Sequence, residues 1–160
     1  MPISKGDRMP DGNFTRMGDN GPGLISTDEL FIGKRVLLFS VPGAFTPTCT
    51  ARHLPGYVDN ATAIKKKGVD TIACMAVNDV FVMDAWGKSQ NAEGKVLMLS
   101  DGNGEFTSAL GLELDASGFG MGTRSQRFSI VVNDGEVEIL NIEDGGEFKV
   151  SSCDYMIDQL

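Results

Sequence analysis

Apolar residues recur along this chain in two periods, and the alternation of those periods outlines its elements. Residues 36–41, Val-Leu-Leu-Phe-Ser-Val, form a continuous apolar, β-rich run of the kind a strand buried on both faces requires. The run ends at Pro42-Gly43, which no strand continues. Beyond it Leu54, Tyr57, Val58, Ala61 and Ile64 recur at helical spacing, and Gly68 stops them. Pro55 lies inside that pattern, so a kink or a delayed regular start is expected there. Residues 71–77 predict a second buried strand, 81–89 a helix, 96–99 a third strand and 105–110 a short helix. The glycine-rich stretch 118–122 reads as a loop. Strands at 128–132 and 136–140 flank Asn133-Asp134-Gly135, a hairpin signal because these residues tolerate positive φ. The tail, 152–160, reads as a closing helix capped by Ser151 or Ser152. Residues before Val36 predict an N-terminal extension with a small hairpin around 12–16.

This order describes an α/β fold of thioredoxin-like type. Crossover helices join parallel strands, an antiparallel pair completes a central mixed β-sheet, helices flank it, and the N-terminal extension precedes it. The 160 residues suit a single domain, 1–160, without a linker or internal repeat. A net charge of −8 argues against nucleic acid and anionic membranes as partners, because both are bound by clustered Lys and Arg. The one basic run, Lys65-Lys66-Lys67, falls at the end of a predicted helix, where cations suit the negative pole. No apolar run approaches the length needed to span a bilayer, and the N-terminus lacks the pattern of a signal peptide. A cytoplasmic location is the resulting expectation.

Chemistry enters with the thiols. Cys49, Cys74 and Cys153 are odd in number and widely spaced, unlike a secreted disulfide framework. No C-x-x-C pair occurs, and one histidine cannot complete an ordinary zinc site with thiols so scattered. The thiols are therefore candidates for packing or for redox chemistry. Cys49 falls where a buried strand gives way to a helix, and unpaired backbone N–H groups at such a junction favour an anion. Cys74 alternates with Ile72 and Ala76 in a predicted strand, which reads equally as a buried thiol.

The residues around Cys49 sharpen this picture. Pro42-Gly43-Ala44-Phe45-Thr46-Pro47-Thr48-Cys49, continuing through Thr50-Ala51-Arg52-His53-Leu54-Pro55-Gly56-Tyr57, closely resembles the active-site loop and helix of type II/type 5 peroxiredoxins. The likeness extends to Val77-Asn78-Asp79, Phe81-Val82-Met83, Ala85-Trp86, the run Arg124-Ser125-Gln126-Arg127-Phe128-Ser129 and the Asn133-Asp134-Gly135 hairpin. The resemblance implies that Cys49 is the peroxidatic nucleophile, passing through a sulfenic acid. It implies that Thr46 directs its hydroxyl at sulfur and peroxide, that Pro42 shields the thiolate from water, and that Arg127 holds thiolate and peroxide together. Donors for the leaving oxygen are expected from backbone N–H groups around Thr48 and Cys49. Arg124 is expected to support the neighbouring loop, and His53 to pack and hydrogen-bond rather than act as an essential base. Cys74 resembles the second cysteine of plant-type members and is the candidate resolving residue, set against external resolution. Cys153 lies later than the C-terminal resolving cysteine of animal members, a departure that argues against that role.

The implied activity is a cofactor-free, metal-free reduction of hydrogen peroxide and small alkyl hydroperoxides, with glutathione and glutaredoxin or thioredoxin as reductant. Phe45, Phe119 and Met121 are candidates for an apolar rim, and a homodimer formed near the active-site loops is expected from the resemblance. Two rivals use the same fold. A non-enzymatic redox sensor or relay would share the site residues, whereas a thioredoxin-type disulfide oxidoreductase is disfavoured because it would need the absent C-x-x-C.

Overall fold

β-Branched and aromatic runs bounded by turn residues become strands, and the amphipathic segments between them become the helices that cover the sheet. The computed structural model describes residues 2–160. In chain order it contains β1 (Asn13–Gly18), β2 (Gly21–Ser26), α1 (Thr27–Phe31), β3 (Arg35–Ser40) and a π-helical turn (Cys49–His53). There follow α2 (Leu54–Asp59), α3 (Ala61–Lys66), β4 (Thr71–Ala76), α4 (Val80–Ser89), β5 (Leu97–Ser100) and α5 (Glu105–Leu110). A small ribbon of β6 (Glu113–Asp115) and β7 (Thr123–Ser125), then β8 (Phe128–Asn133), β9 (Glu136–Ile142) and α6 (Cys153–Ile157), complete the chain.

Seven strands form one sheet in the order β2-β1-β5-β4-β3-β8-β9. β3, β4 and β5 are parallel neighbours, and β8 and β1 flank them antiparallel. Because β3→β4→β5 steps in one direction, right-handed crossovers put α2, α3 and α4 on the same face. That face carries Leu37, Phe39, Ile72, Cys74, Ala76 and Val131 against Tyr57, Ile64 and Trp86. The alternate residues Val36, Leu38, Ala73, Met75, Ile130 and Val132 face the other way, against Leu30, Phe31, Phe106 and Leu110 of α1 and α5. A mixed sheet with helices on both faces is the thioredoxin-like arrangement expected from the strand order.

Several local expectations change. The N-terminal hairpin turns at Asp19-Asn20 rather than within 12–16, and β1 runs 13–18 and pairs with β5 through Thr15 and Ser100. Gly12 precedes β1 instead, and a Cβ there would make only ordinary van der Waals contact with Phe106, at 3.5 Å. α1 was not expected, although Ser26 and Glu29 form a capping box around its first turn. The β6–β7 ribbon brackets the predicted glycine loop, and its Ser125 is tied to β3 by a Ser40–Ser125 hydroxyl bond of 2.7 Å. The closing helix stops at Ile157, with Ser152 as its cap. The disturbance expected at Pro55 appears one turn earlier. Pro55 lacks an N–H and its ring crowds the carbonyl of Ala51, and the preceding turn widens so that the Leu54 N–H bonds the Cys49 carbonyl. The hairpin at Asp134-Gly135 forms as read, both residues having positive φ (49° and 81°).

Candidate active site

Strand register brings distant residues together. β3 and β8 are antiparallel with Ser40 opposite Phe128, so the segment leaving β3 lies beside Arg127, the residue entering β8. β9 pairs with β8 so that Ile142 is opposite Phe128, and the Glu143 N–H donates to the Arg127 carbonyl at 3.0 Å. One end of the sheet thus collects 42–49, Arg127 and Glu143.

The loop after β3 is held by several short contacts. The Ala44 N–H donates to Asn78 Oδ1 at 2.9 Å, and the Thr46 hydroxyl donates to the Gly43 carbonyl at 2.7 Å. A Cβ on Gly43 would lie 3.0 Å from Met121 Cε and 3.2 Å from Thr46 Cγ2, so glycine permits this close approach. Arg124 supports the loop as expected, donating from Nε to the Met121 carbonyl at 2.9 Å and from Nη1 toward the Pro42 carbonyl at 3.5 Å. Phe45 has a positive φ of 64°, a conformation costing a non-glycine residue about 1–2 kcal/mol, and its ring is exposed. The helix opens at Pro47, where a missing N–H costs nothing, and the Thr50 N–H makes its first bond to the Thr46 carbonyl at 2.9 Å. Thr48 and Cys49 therefore lie in the first turn, whose N–H groups have no helical acceptor. Trp86 Nε1–H donates to Thr50 Oγ1 at 3.1 Å and fastens this turn to α4.

Cys49 is fully buried, and Arg127 Nη2 donates to its sulfur at 3.1 Å. Arg127 Nη1 meets His53 Nδ1 at 2.8 Å. A guanidinium has no acceptor, so Nδ1 accepts and the ring proton sits on Nε2, which donates to the Ser151 carbonyl at 3.1 Å. Burial, then the charge of Arg127, lowers the His53 pKa to about 3, the Ser151 carbonyl opposing them; the ring is neutral near pH 7. Tyr57 OH donates to the same carbonyl at 2.7 Å and stacks on Phe39 at 4.1 Å. Phe148 closes the assembly, its ring centre 5.0 Å from that of His53 and 5.8 Å from the Arg127 guanidinium carbon. Arg127 is itself buried, and among the described residues no carboxylate forms an ion pair with it.

The structure thus brings Cys49 and Arg127 into contact and sets Pro42 and Thr46 in the loop leading to them. Cys74 lies on the same sheet face, opposite Phe39 in β4 and fully buried. Burial pushes its thiol well above the ordinary range, and the charge of a Cys49 thiolate adds to this while Arg127 offsets part. Cys153 is buried against α2, with its Cβ 3.5 Å from where a Gly56 Cβ would stand, and burial followed by the Asp154 charge raises its thiol to about 12. No two of the three cysteines are bonded. Phe119 is almost fully exposed, whereas Met121 packs on the loop at Gly43. Sequence reasoning missed the supporting residues Glu143, Phe148 and Ser151. Their signal is long-range pairing, apart from the one visible clue that His53 follows Cys49 by one helical turn.

Comparisons with known proteins agree with this geometry. The Redoxin family model matches residues 4–157. Peroxiredoxin-2B of Arabidopsis thaliana is 48% identical over 160 residues, covering 99% of both chains. Among solved structures, reduced Prx3 of Vibrio vulnificus in complex with hydrogen peroxide superposes with a TM-score of 0.95 at 47% identity, covering 98% of each chain. A Plasmodium falciparum antioxidant protein, a 1-Cys peroxiredoxin, matches with a TM-score of 0.91 at 31% identity over 98% of each chain. Full-length identity at this level joins the fold and the buried Cys49–Arg127 pair to a single conclusion: the chain belongs to the peroxiredoxins, the thiol peroxidases of the Redoxin family.

Proposed function

We propose that Cys49 is the peroxidatic residue and that Arg127, Thr46 and Pro42 complete its site. The observation that carries this reading is the 3.1 Å bond from the buried Arg127 guanidinium to Cys49 Sγ. A guanidinium is always charged, and burying it without an anion is costly. The Cys49 sulfur is the group placed to supply that anion. The thiolate attacks the hydroxyl oxygen of a hydroperoxide, forming an S–O bond as the O–O bond breaks. Cys49 becomes the sulfenic acid, and the departing alkoxide or hydroxide takes a proton from water. Arg127 and the free N–H groups of the first turn stabilise charge on the reacting oxygens. The Thr46 hydroxyl proton is committed to Gly43, which leaves its oxygen to accept from the hydroperoxide. Pro42 offers no N–H and walls the sulfur from water. The electrons come from sulfur, so the step calls for no metal or cofactor.

Substrates are hydrogen peroxide and small alkyl hydroperoxides, consistent with the hydrogen peroxide bound in the Vibrio vulnificus relative. An external thiol then attacks the sulfenic acid, releasing water and forming a mixed disulfide that a second thiol reduces. Glutathione with glutaredoxin suits this better than resolution by Cys74: both sulfurs are fully buried, but Cys74 is also held in mid-sheet between β3 and β5, so its attack needs a doubly paired strand to open. Thioredoxin is the other candidate reductant. The exposed rings of Phe45 and Phe119 favour a homodimer that covers them. No helix among the described residues is long and apolar enough to cross a membrane, and a cytoplasmic location is part of the proposal.

Stopped-flow oxidation of Cys49 by hydrogen peroxide tests the site. Arg127→Ala should slow the second-order reaction by about 10²–10³-fold, the typical cost of one oxyanion donor. Arg127→Lys should fall between, since an ammonium lacks the planar fork. An unchanged rate in Arg127→Ala would remove the residue from the reaction.

A further inference from the structure

The strap from Asp144 to Ser152 is organised by one buried carboxylate. Glu143 Oε2 accepts the Lys149 N–H at 2.7 Å, the Ser151 N–H at 2.8 Å and the Ser151 hydroxyl, while Oε1 accepts the Val150 N–H at 3.2 Å. Burial raises the Glu143 carboxyl, but the Ser151 hydroxyl and the three N–H groups outweigh it and hold the pKa below the ordinary value of 4.5. The strap grips the active site at two points. The Ser151 carbonyl accepts from His53 Nε2 and Tyr57 OH, and Phe148 packs on His53 with Arg52 and Arg127 over its ring at 4.8 and 5.8 Å. His53 passes the constraint on. Only the tautomer with its proton on Nε2 leaves Nδ1 free to accept from Arg127 Nη1, and that bond aims Nη2 at Cys49. At the same time the Glu143 N–H holds the Arg127 carbonyl, so one residue fixes both the backbone of Arg127 and, through the strap, its side chain.

We propose that Glu143 is a positioning residue for peroxide reduction, acting through the Ser151 carbonyl and His53 to orient the Arg127 guanidinium on Cys49. This rests on the roles assigned above to Cys49 and Arg127. A neutral amide could not replace the carboxylate. Its single acceptor oxygen cannot serve both sets of donors, and its NH2 would confront a backbone N–H. The Ser151 carbonyl then loses its fixed place, the imidazole its fixed tautomer, and the guanidinium its aim.

The test compares wild type, Glu143→Gln, Arg127→Ala and the double variant, with two readouts. The first is the stopped-flow rate of Cys49 oxidation by hydrogen peroxide. The second is the 15N spectrum of protein labelled at histidine, which reports one ring because the chain has 1 His. Glu143→Gln should slow oxidation by up to about 10²-fold, the cost a misplacement of about 1 Å can carry. Its imidazole signals should move from the Nε2–H tautomer to a mixture. In the Arg127→Ala background the same change should cost nothing further, because Glu143 acts through Arg127. A wild-type rate with wild-type imidazole signals, or losses that simply multiply in the double variant, would overturn the proposal. If Glu143→Gln does not fold, Glu143→Asp keeps the charge but draws it back by one methylene. It should show the same two changes, and their absence would equally overturn the idea. Full speed in Arg127→Ala would instead sink the site assignment itself, so the two failures are distinguishable.

Discussion

Two thiols in this molecule are equally buried and differ in everything else. Cys49 sits in the first turn of a helix, beneath free backbone N–H groups, with a guanidinium nitrogen 3.1 Å from its sulfur. Cys74 sits in mid-strand, paired on both sides by β3 and β5 and surrounded by apolar residues. Both have no exposed surface. Burial alone therefore decides nothing about a cysteine. What separates them is the supply of donors: the same low-dielectric interior that suppresses the Cys74 thiolate strengthens the Arg127–Cys49 bond.

Substitution should separate the two thiols most visibly. Cys49→Ser should abolish peroxide turnover with any reductant, while Cys74→Ser combined with Cys153→Ser should retain it with glutathione and glutaredoxin. A coupled NADPH assay reads both. Loss of turnover in the Cys74/Cys153 double variant with every reductant would show that β4 opens readily and that Cys74 resolves the sulfenic acid.

A smaller effect sharpens the contrast through His53. In the folded protein its ring stays neutral down to about pH 3, whereas an unfolded imidazole protonates near its ordinary 6.5. The folded-state pKa is depressed, so below 6.5 the unfolded chain binds a proton that the native state refuses. Stability then falls as pH drops through the window from 6.5 toward about 3. The loss between pH 7 and pH 5 should reach about 2 kcal/mol, at most ~1.4 kcal/mol per pH unit. Glu143 adds to acid lability only below its ordinary carboxyl value of 4.5. Urea denaturation at the two pH values should show a much flatter dependence in His53→Asn than in wild type. An equal slope in both proteins would mean that His53 is not the titrating group.

Much of this architecture could be read from local pattern. β3, β4 and the β8–β9 hairpin follow from apolar runs and the Asp134-Gly135 turn, each within a few residues. The β6–β7 ribbon could not be read, because three-residue strands carry no period and depend on each other and on the Ser40–Ser125 bond. α1 has a local signal in the spacing of Ser26 and Glu29, but its five residues are too few to show a helical period. At the site, Pro42, Thr46 and Cys49 are near neighbours in sequence and form a motif. Arg127 was legible only through resemblance, since its approach to Cys49 depends on the β3–β8 register. Glu143 was invisible: in Asn141-Ile142-Glu143-Asp144-Gly145-Gly146 it looks like one more solvated charge, and only the folded strap shows it buried among N–H groups.

We propose that the Arg127-bonded sulfur, and no other, meets peroxide first. The most direct measurement exposes the reduced native protein to one equivalent of hydrogen peroxide, traps sulfenic acid with dimedone, and locates the adduct by mass spectrometry of the digested chain. Close to one adduct per chain is expected, on Cys49, with Cys74 and Cys153 unmodified. An adduct chiefly on Cys74 or Cys153, or an unmodified Cys49 after the peroxide has been consumed, would contradict it.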